Sequence, residues 1–215
     1  MDLDYEIKIQ EGIKTWHING ERHREDGPAV EHRNGYKEWY INGKLHREDG
    51  PAVEDLNGDK SWYINGKRHK EGGPAVEHEK CNKWWYINDK RHREDGPAIE
   101  WSNGNKELYI KGERHREDGP AIELSNGDKG WYINGKRHRE DGPAIECSSG
   151  DKEWYINDKR VSETEHKAHF KRIRKLQHKY YYKWVEWHFD PNRKGSKVYQ
   201  NLYKKLEEEV GEFLQ

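Results

Sequence analysis

The chain has 215 residues, of which 38% are charged, 31% hydrophobic and 12% aromatic, with 40 Lys and Arg against 41 Asp and Glu. So small an apolar share excludes a large globular core and a membrane-spanning helix, and by itself points toward disorder. Ten Trp and thirteen Tyr placed in register argue the other way, because each ring buries a large apolar area.

Two cysteines, Cys81 and Cys147, stand at different places in the pattern and support neither a disulfide framework nor a Cys-based metal site. The first residues carry neither the basic nor the apolar segment of a secretory signal, so a reducing, cytoplasmic setting is expected. The near-zero balance hides a division. Residues 162–215 hold twelve Lys and Arg against eight Asp and Glu, which leaves 28 against 33 for residues 1–161. Opposite signs on the two parts favour contact between them or two kinds of partner.

Residues 1–15 read as an incomplete leading strand, with Ile7, Ile9 and Ile13 placed to cover the open end of a repeat array. From Trp16 onward the sequence repeats every 23 residues. Trp16, Trp39, Trp62, Trp85, Trp131 and Trp154 share one register, with Leu108 in the remaining turn. His23, His46, His69, His92, His115 and His138 keep the same period, as do Pro28, Pro51, Pro74, Pro97, Pro120 and Pro143. Constant spacing without insertions means that each copy is one structural unit placed against the next.

Within a copy, Lys37–Ile41 reads as a strand, with Trp39 and Ile41 on one face and Glu38 and Tyr40 on the other. Asn42-Gly43 is a two-residue hairpin turn, since both positions accept φ > 0. Lys44–Arg47 returns, Glu48-Asp49-Gly50-Pro51 breaks the chain, 52–54 forms a short strand, and Asn57-Gly58 turns into the next copy. The expected fold over 1–161 is an all-β array of stacked antiparallel hairpins, two or three strands per copy. At ~10 Å per copy it would make an elongated twisted sheet or solenoid roughly 60–70 Å long.

Trp39, Trp62, Trp85 and Trp131, with His46, His69, His92, His115 and His138, are expected to be structural ladders. Successive copies ~10 Å apart cannot share a metal whose ligands lie ~2 Å from the ion, so no metal is implied by the histidines. Tyr40, Tyr63, Tyr86, Tyr109 and Tyr132 form a row on the opposite face, either a platform for a partner or a second buried layer. Departures from the repeat gather around Trp84 and Trp101, which makes that pair a candidate interface hot spot. No nucleophile elbow, phosphate loop, dinucleotide fingerprint or zinc-protease motif occurs, so neither an enzyme nor a cofactor is expected.

The residues Trp39, Asn42, Gly43, Lys44, His46, Asn57 and Gly58 make each copy resemble the MORN repeat family. The run Arg47-Glu48-Asp49-Gly50-Pro51-Ala52 replaces that family's Gly-x-Gly and is similar to a variant common in phages, giant viruses and some bacteria. The resemblance implies a β-hairpin repeat that binds proteins or membranes and catalyses nothing. The altered loop separates this chain from members credited with phospholipid binding. A viral or phage scaffold, in the virion or the host cytoplasm, is the implied setting.

Beyond Val161 the register fails. Ser162 or Thr164 caps an expected helix with Phe170, Ile173, Leu176, Tyr180, Trp184 and Trp187 on one face. Lys171, Arg172, Arg174 and Lys175 lie on its basic face, a route to a protein, an acidic membrane or nucleic acid confined to residues 166–188. Asp190-Pro191 ends it, and Ser196 opens a second expected helix bearing Val198, Leu202, Leu206, Val210 and Phe213. The C-terminal part, 162–215, is thus read as an α-helical hairpin that caps the array or docks it to a partner.

Overall fold

The structure is a computed structural model that describes residues 5–188. Antiparallel β-hairpins and then a single helix make up the described chain, which divides into two compact units, 1–129 and 130–215. The change from strand to helix falls at Ser162, in agreement with the sequence pattern. The last full hairpins, however, belong to the same compact unit as the helix.

In the first unit the copies after the first contribute four strands of two residues each, where two or three short strands were expected. Lys37–Glu38 and Val53–Glu54 lie in a long antiparallel sheet, while Tyr40–Ile41 and Lys44–Leu45 pair only with each other. The reading of Lys37–Ile41 as one continuous strand is therefore corrected. The chain leaves the sheet at Trp39, whose N–H donates to Ala52 O at 2.9 Å and whose carbonyl accepts from His46 N at 3.0 Å. The indole there lies under Arg47, 4.1 Å away. Only Ile13–Ile18 and Lys152–Ile156 pass through their Trp unbroken.

The register of the long sheet sorts residues by face. One row runs Val30, Glu38, Val53, Ser61, Val76, Trp84, Ile99, Glu107 and Ile122 from strand to strand. The adjacent row, on the other face, alternates Glu31, Lys37, Glu54, Lys60, Glu77, Lys83, Glu100, Lys106 and Glu123. Each Lys thus stands between two Glu, a cross-strand pattern that fixes register, because a one-residue slip would send Val and Ile to the charged side. The innermost residues are Ala29, Ala52, Ala75, Ala98 and Ala121, all fully buried, while Trp39, Ile41 and Val53 are only half-buried.

Two turn types explain the two Asn-Gly signals. Asn42 (φ 47°) and Gly43 (φ 69°) form the two-residue turn with both residues left-handed. The second is a three-residue loop: Asp55 N donates to Asp59 O at 2.9 Å, Gly58 N donates to Asp55 O at 3.0 Å, and Gly58 has φ 84°. In the next copy Cys81 occupies that left-handed position at φ 64°.

At the start of the chain the single leading strand expected over 1–15 is instead a hairpin, Glu6–Gln10 pairing with Ile13–Ile18, and Ile7 and Ile9 are 49% and 74% exposed. In the second unit Ser162 is the helix cap. Its Oγ accepts from Glu165 N at 3.2 Å, and Glu165 Oε2 accepts from Ser162 N at 2.8 Å. The helix runs Glu163–His188, and the expected second helix from Ser196 lies outside the described residues.

A left-handed Cys costs about 1 kcal/mol relative to Gly. Cys81→Gly is therefore expected to raise the urea midpoint of the chain, and Gly58→Ala to lower it. Equal midpoints for the wild type and Cys81→Gly would contradict this turn geometry.

Candidate functional site

The loop after each histidine is built around one arginine. Arg47 donates from Nε to Asp49 at 2.8 Å, and from Nη1 to the Pro51 carbonyl at 3.3 Å and to Glu54 at 3.2 Å. The same three acceptors hold Arg24, Arg93, Arg116 and Arg139, with Nε–Asp distances of 2.7–2.8 Å. The guanidinium held this way lies 4.0–4.1 Å from the indole centroid of Trp16, Trp39, Trp85 or Trp131. The adjacent cation holds the carboxyls of Asp26, Asp49, Asp95, Asp118 and Asp141 below the usual range.

The glycine of this loop has a different purpose from the one its freedom of φ suggests. A Cβ at Gly50 would stand 2.8 Å from the Arg47 guanidinium carbon, and the equivalent distances at Gly27, Gly96, Gly119 and Gly142 are 2.8–3.1 Å. A Cβ there would press on the end of the arginine side chain, which would have to shift off its acceptors to make room. One copy departs from the scheme: Lys70 replaces Arg, Gly72 replaces Asp, and the ammonium sits 3.4 Å from the Trp62 centroid and 3.2 Å from Glu77.

The histidines join consecutive copies. Asn42 N donates to His23 Nδ1 at 3.2 Å, Asn65 N to His46 Nδ1 at 3.1 Å and Lys111 N to His92 Nδ1 at 3.1 Å. In the same turns Gly43 N donates to Arg22 O, Gly66 N to Leu45 O and Gly112 N to Arg91 O, at 2.8–2.9 Å. Both free N–H groups of each two-residue turn are thereby satisfied by the preceding copy. His23 Nδ1 and His46 Nδ1 also lie 2.9 and 3.1 Å from the side-chain Oδ1 of Asn42 and Asn65, so each ring meets both the backbone and the side chain of the next copy's turn. The other ring nitrogen, Nε2, faces Glu25, Glu48, Glu71, Glu94 or Glu117 at 3.7–3.8 Å, too long for a hydrogen bond.

A second set of clips joins the copies at the opposite turn, where the sequence pattern gave no expectation. Asp59 accepts from Glu79 N, Asn82 from Ser102 N and Asn105 from Ser125 N, each at 2.8 Å. The signal is the Asp or Asn just after each second turn, a residue that reads on its own as an ordinary loop polar group.

The Tyr row is enclosed. Tyr86 and Tyr109 are buried, while Tyr40, Tyr63 and Tyr132 are half-buried. Arg22 lies over Tyr40, Arg68 over Tyr63 and Tyr86, and Arg91 over Tyr109. Burial beside the Glu107 carboxylate pushes the Tyr109 hydroxyl pKa up. Trp84 packs against both the Ala75–Val76–Tyr86 and Ala98–Ile99–Tyr109 clusters, and Trp101 packs against the second. These side chains are part of the thin core more than of an open surface.

In the second unit the helix docks through His166, Phe170 and Ile173, which are 2%, 1% and 6% exposed. His166 Nε2 lies 2.6 Å from the Arg139 carbonyl, and its ring lies between Trp154 and Phe170 at 4.8 and 4.7 Å. The sequence pattern began this face at Phe170 and missed His166 because a histidine carries no hydrophobic signal. Lys171, Arg172, Arg174 and Lys175 are exposed, whereas the side chains of Trp184 and Trp187 lie outside the described residues. Burial pushes the pKa of His138 down, and Asn157 N donates to its Nδ1 at 3.2 Å.

Among the described residues no group of three or more His, Cys, Asp or Glu side chains is placed to hold a metal ion. No helix among them is long and apolar enough to cross a membrane. Comparison of the sequence with protein-family models and with curated proteins finds no match.

Gly50→Ala is expected to cost about 1–3 kcal/mol by forcing the guanidinium off its seat. In an Arg47→Ala background the same substitution should cost only a few tenths. Equal costs in the two backgrounds, measured by denaturant unfolding, would refute the close-approach role of Gly50.

His138 is neutral in the fold and titrates near its ordinary value, about 6.5, when unfolded. Its contribution is therefore complete above that pH and is lost as pH falls through it toward the depressed folded value. The melting temperature is expected to drop between about pH 7 and pH 5. His138→Asn should start lower and show a shallower acid limb. An unchanged limb would remove His138 from the acid response.

Proposed function

We propose that the chain is a non-catalytic protein–protein interaction scaffold whose loops offer a partner the same polar surface at a fixed interval. One observation carries this reading. In copy after copy the guanidinium, the imidazole and the Asp carboxylate are engaged by the chain itself, while the neighbouring Glu is left at the loop tip. The side chains of Glu25, Glu48, Glu71, Glu94 and Glu117 are 65–88% exposed. Catalysis calls for one unique, preorganised group. Repeated identical groups suit multi-point contact, where several weak interactions act together.

A rank of carboxylates favours a basic partner protein. The likeness of the 23-residue unit to the MORN-like variants of phages and giant viruses supports a viral setting: a virion or assembly component, or an inhibitor of a host factor. No cofactor enters this reading. A second reading is supported by the helix, whose buried His166–Phe170–Ile173 face leaves Lys171, Arg172, Arg174 and Lys175 exposed. That reading is an electrostatic adaptor to an acidic membrane surface or nucleic acid.

Capture of partners on the full-length chain separates the two. For a scaffold, the Lys171→Glu, Arg174→Glu, Lys175→Glu variant is expected to keep its partner, with less than about tenfold loss of affinity from ~50 to ~200 mM salt. An adaptor that neutralises about four phosphates would lose on the order of 100-fold over that range and would fail in the variant. The second outcome would overturn the scaffold reading.

A further inference from the structure

Five of the six loop cations lie on an indole: Arg24, Arg47, Lys70, Arg93 and Arg139. The sixth does not. Arg116 is held by Asp118, the Pro120 carbonyl and Glu123 in the same way as the others, but the residue in the Trp register is Leu108. Its side chain is 30% exposed, against 19–23% for the four stacked arginines. Beside it lies a groove of about 500 Å³ between the loops 93–97 and 115–118, lined by Leu108 and Ile110 together with Arg116, Glu94 and Glu117.

We infer that this groove receives an aromatic side chain, an indole, from a partner protein in a segment that also carries Lys or Arg. The guanidinium there is already fixed in plane by three acceptors, so its orientation is set before any ring arrives. The other copies show what such a cation takes on its face, an indole centred 4.0–4.1 Å away. Charge complementarity completes the description of the occupant. The cation meets the negative face of the ring, Leu108 and Ile110 supply apolar contact, and the rim, where five carboxylates outnumber Arg93, Lys106 and Arg116, attracts basic residues flanking the ring.

Grooves between successive loops are not unusual in this array. The one between loops 70–74 and 92–95 has a similar volume, about 590 Å³, but there Trp85 lies under Arg93 and the guanidinium is already covered. The Leu108 groove is singled out by its chemistry and not by its size. It gives the repeated scaffold one loop cation without an indole of its own, and so fixes where a partner lands along the array. The inference rests on the scaffold reading and names one of its contacts.

The test is a titration of the full-length chain with capped Lys-Trp-Lys and capped Lys-Ala-Lys peptides, monitored by NMR at the Leu108 methyls and the Arg116 Nε–H. The Trp peptide is expected to give saturable shifts at both positions and to bind roughly tenfold more tightly than the Ala peptide. Leu108→Trp, which restores the repeat's own residue, is expected to fold, to melt at a higher temperature and to lose the difference between the peptides. Equal affinities in the wild type, shifts spread evenly over all the loops, or an undiminished preference in a folded Leu108→Trp chain would each overturn the inference. If a captured partner binds wild type and Leu108→Trp alike, the scaffold reading survives and the slot does not. If the Trp peptide binds as described but no partner is retained, the slot survives and the scaffold reading does not.

Discussion

A planar cation laid on an indole, with its edge held by a carboxylate, a proline carbonyl and a second carboxylate, is the constraint from which four of the six copies are built. The arrangement satisfies charge and hydrogen bonding with groups from a single loop and the strand after it. Alone, an exposed ion pair is worth little. Here the Arg47 side chain is 23% exposed and its donors are shared among three acceptors, while its face covers an indole that would otherwise meet water. The cation therefore serves as part of the apolar core as well as part of its polar boundary.

That seat dictates several features of the copy. The indole of Trp39 lies beneath the loop where its copy is cut into strands of two residues, although Ile13–Ile18 carries Trp16 under Arg24 unbroken. A Cβ at Gly50 would press on the guanidinium, 2.8 Å away, and displace it from its seat. Ala52 must be small because it is fully buried where the Trp39 amide bonds its carbonyl. Core volume is thus divided among small fixed pieces, which reconciles a 31% hydrophobic composition with an ordered fold. Joining copy to copy falls to backbone donors at both turns: the Asn-Gly turn on the preceding histidine and strand, and the three-residue turn on Asp59 or its equivalents.

Much of this was legible in the sequence, and the reason is periodicity. A 23-residue register, the two Asn-Gly turns and the Ser162 cap each have a local cause, so hairpins and helix could be placed without tertiary information. What was not legible depends on contacts between residues distant in the repeat. Lys37–Ile41 alternates like one strand, and nothing local shows that Trp39 bonds two different segments. Gly50 looks like a free hinge until the guanidinium is in place. His166 carries no apolar signal, yet it is among the most buried side chains because Trp154, Phe170 and the Arg139 carbonyl surround it. The Tyr row was divided between platform and buried layer, and only the flanking arginines, far from each Tyr in sequence, show how enclosed it is.

The stacked guanidinium is most directly visible in the arginine Nε–H signals of a labelled sample. Arg24, Arg47, Arg93 and Arg139 should each give a resolved Nε–H that exchanges slowly with water and is shifted by the ring current of its indole. Arg116, whose copy has Leu108 in place of the indole, should exchange slowly without that shift. A single collapsed arginine signal at the position of the free amino acid would contradict the account at its base.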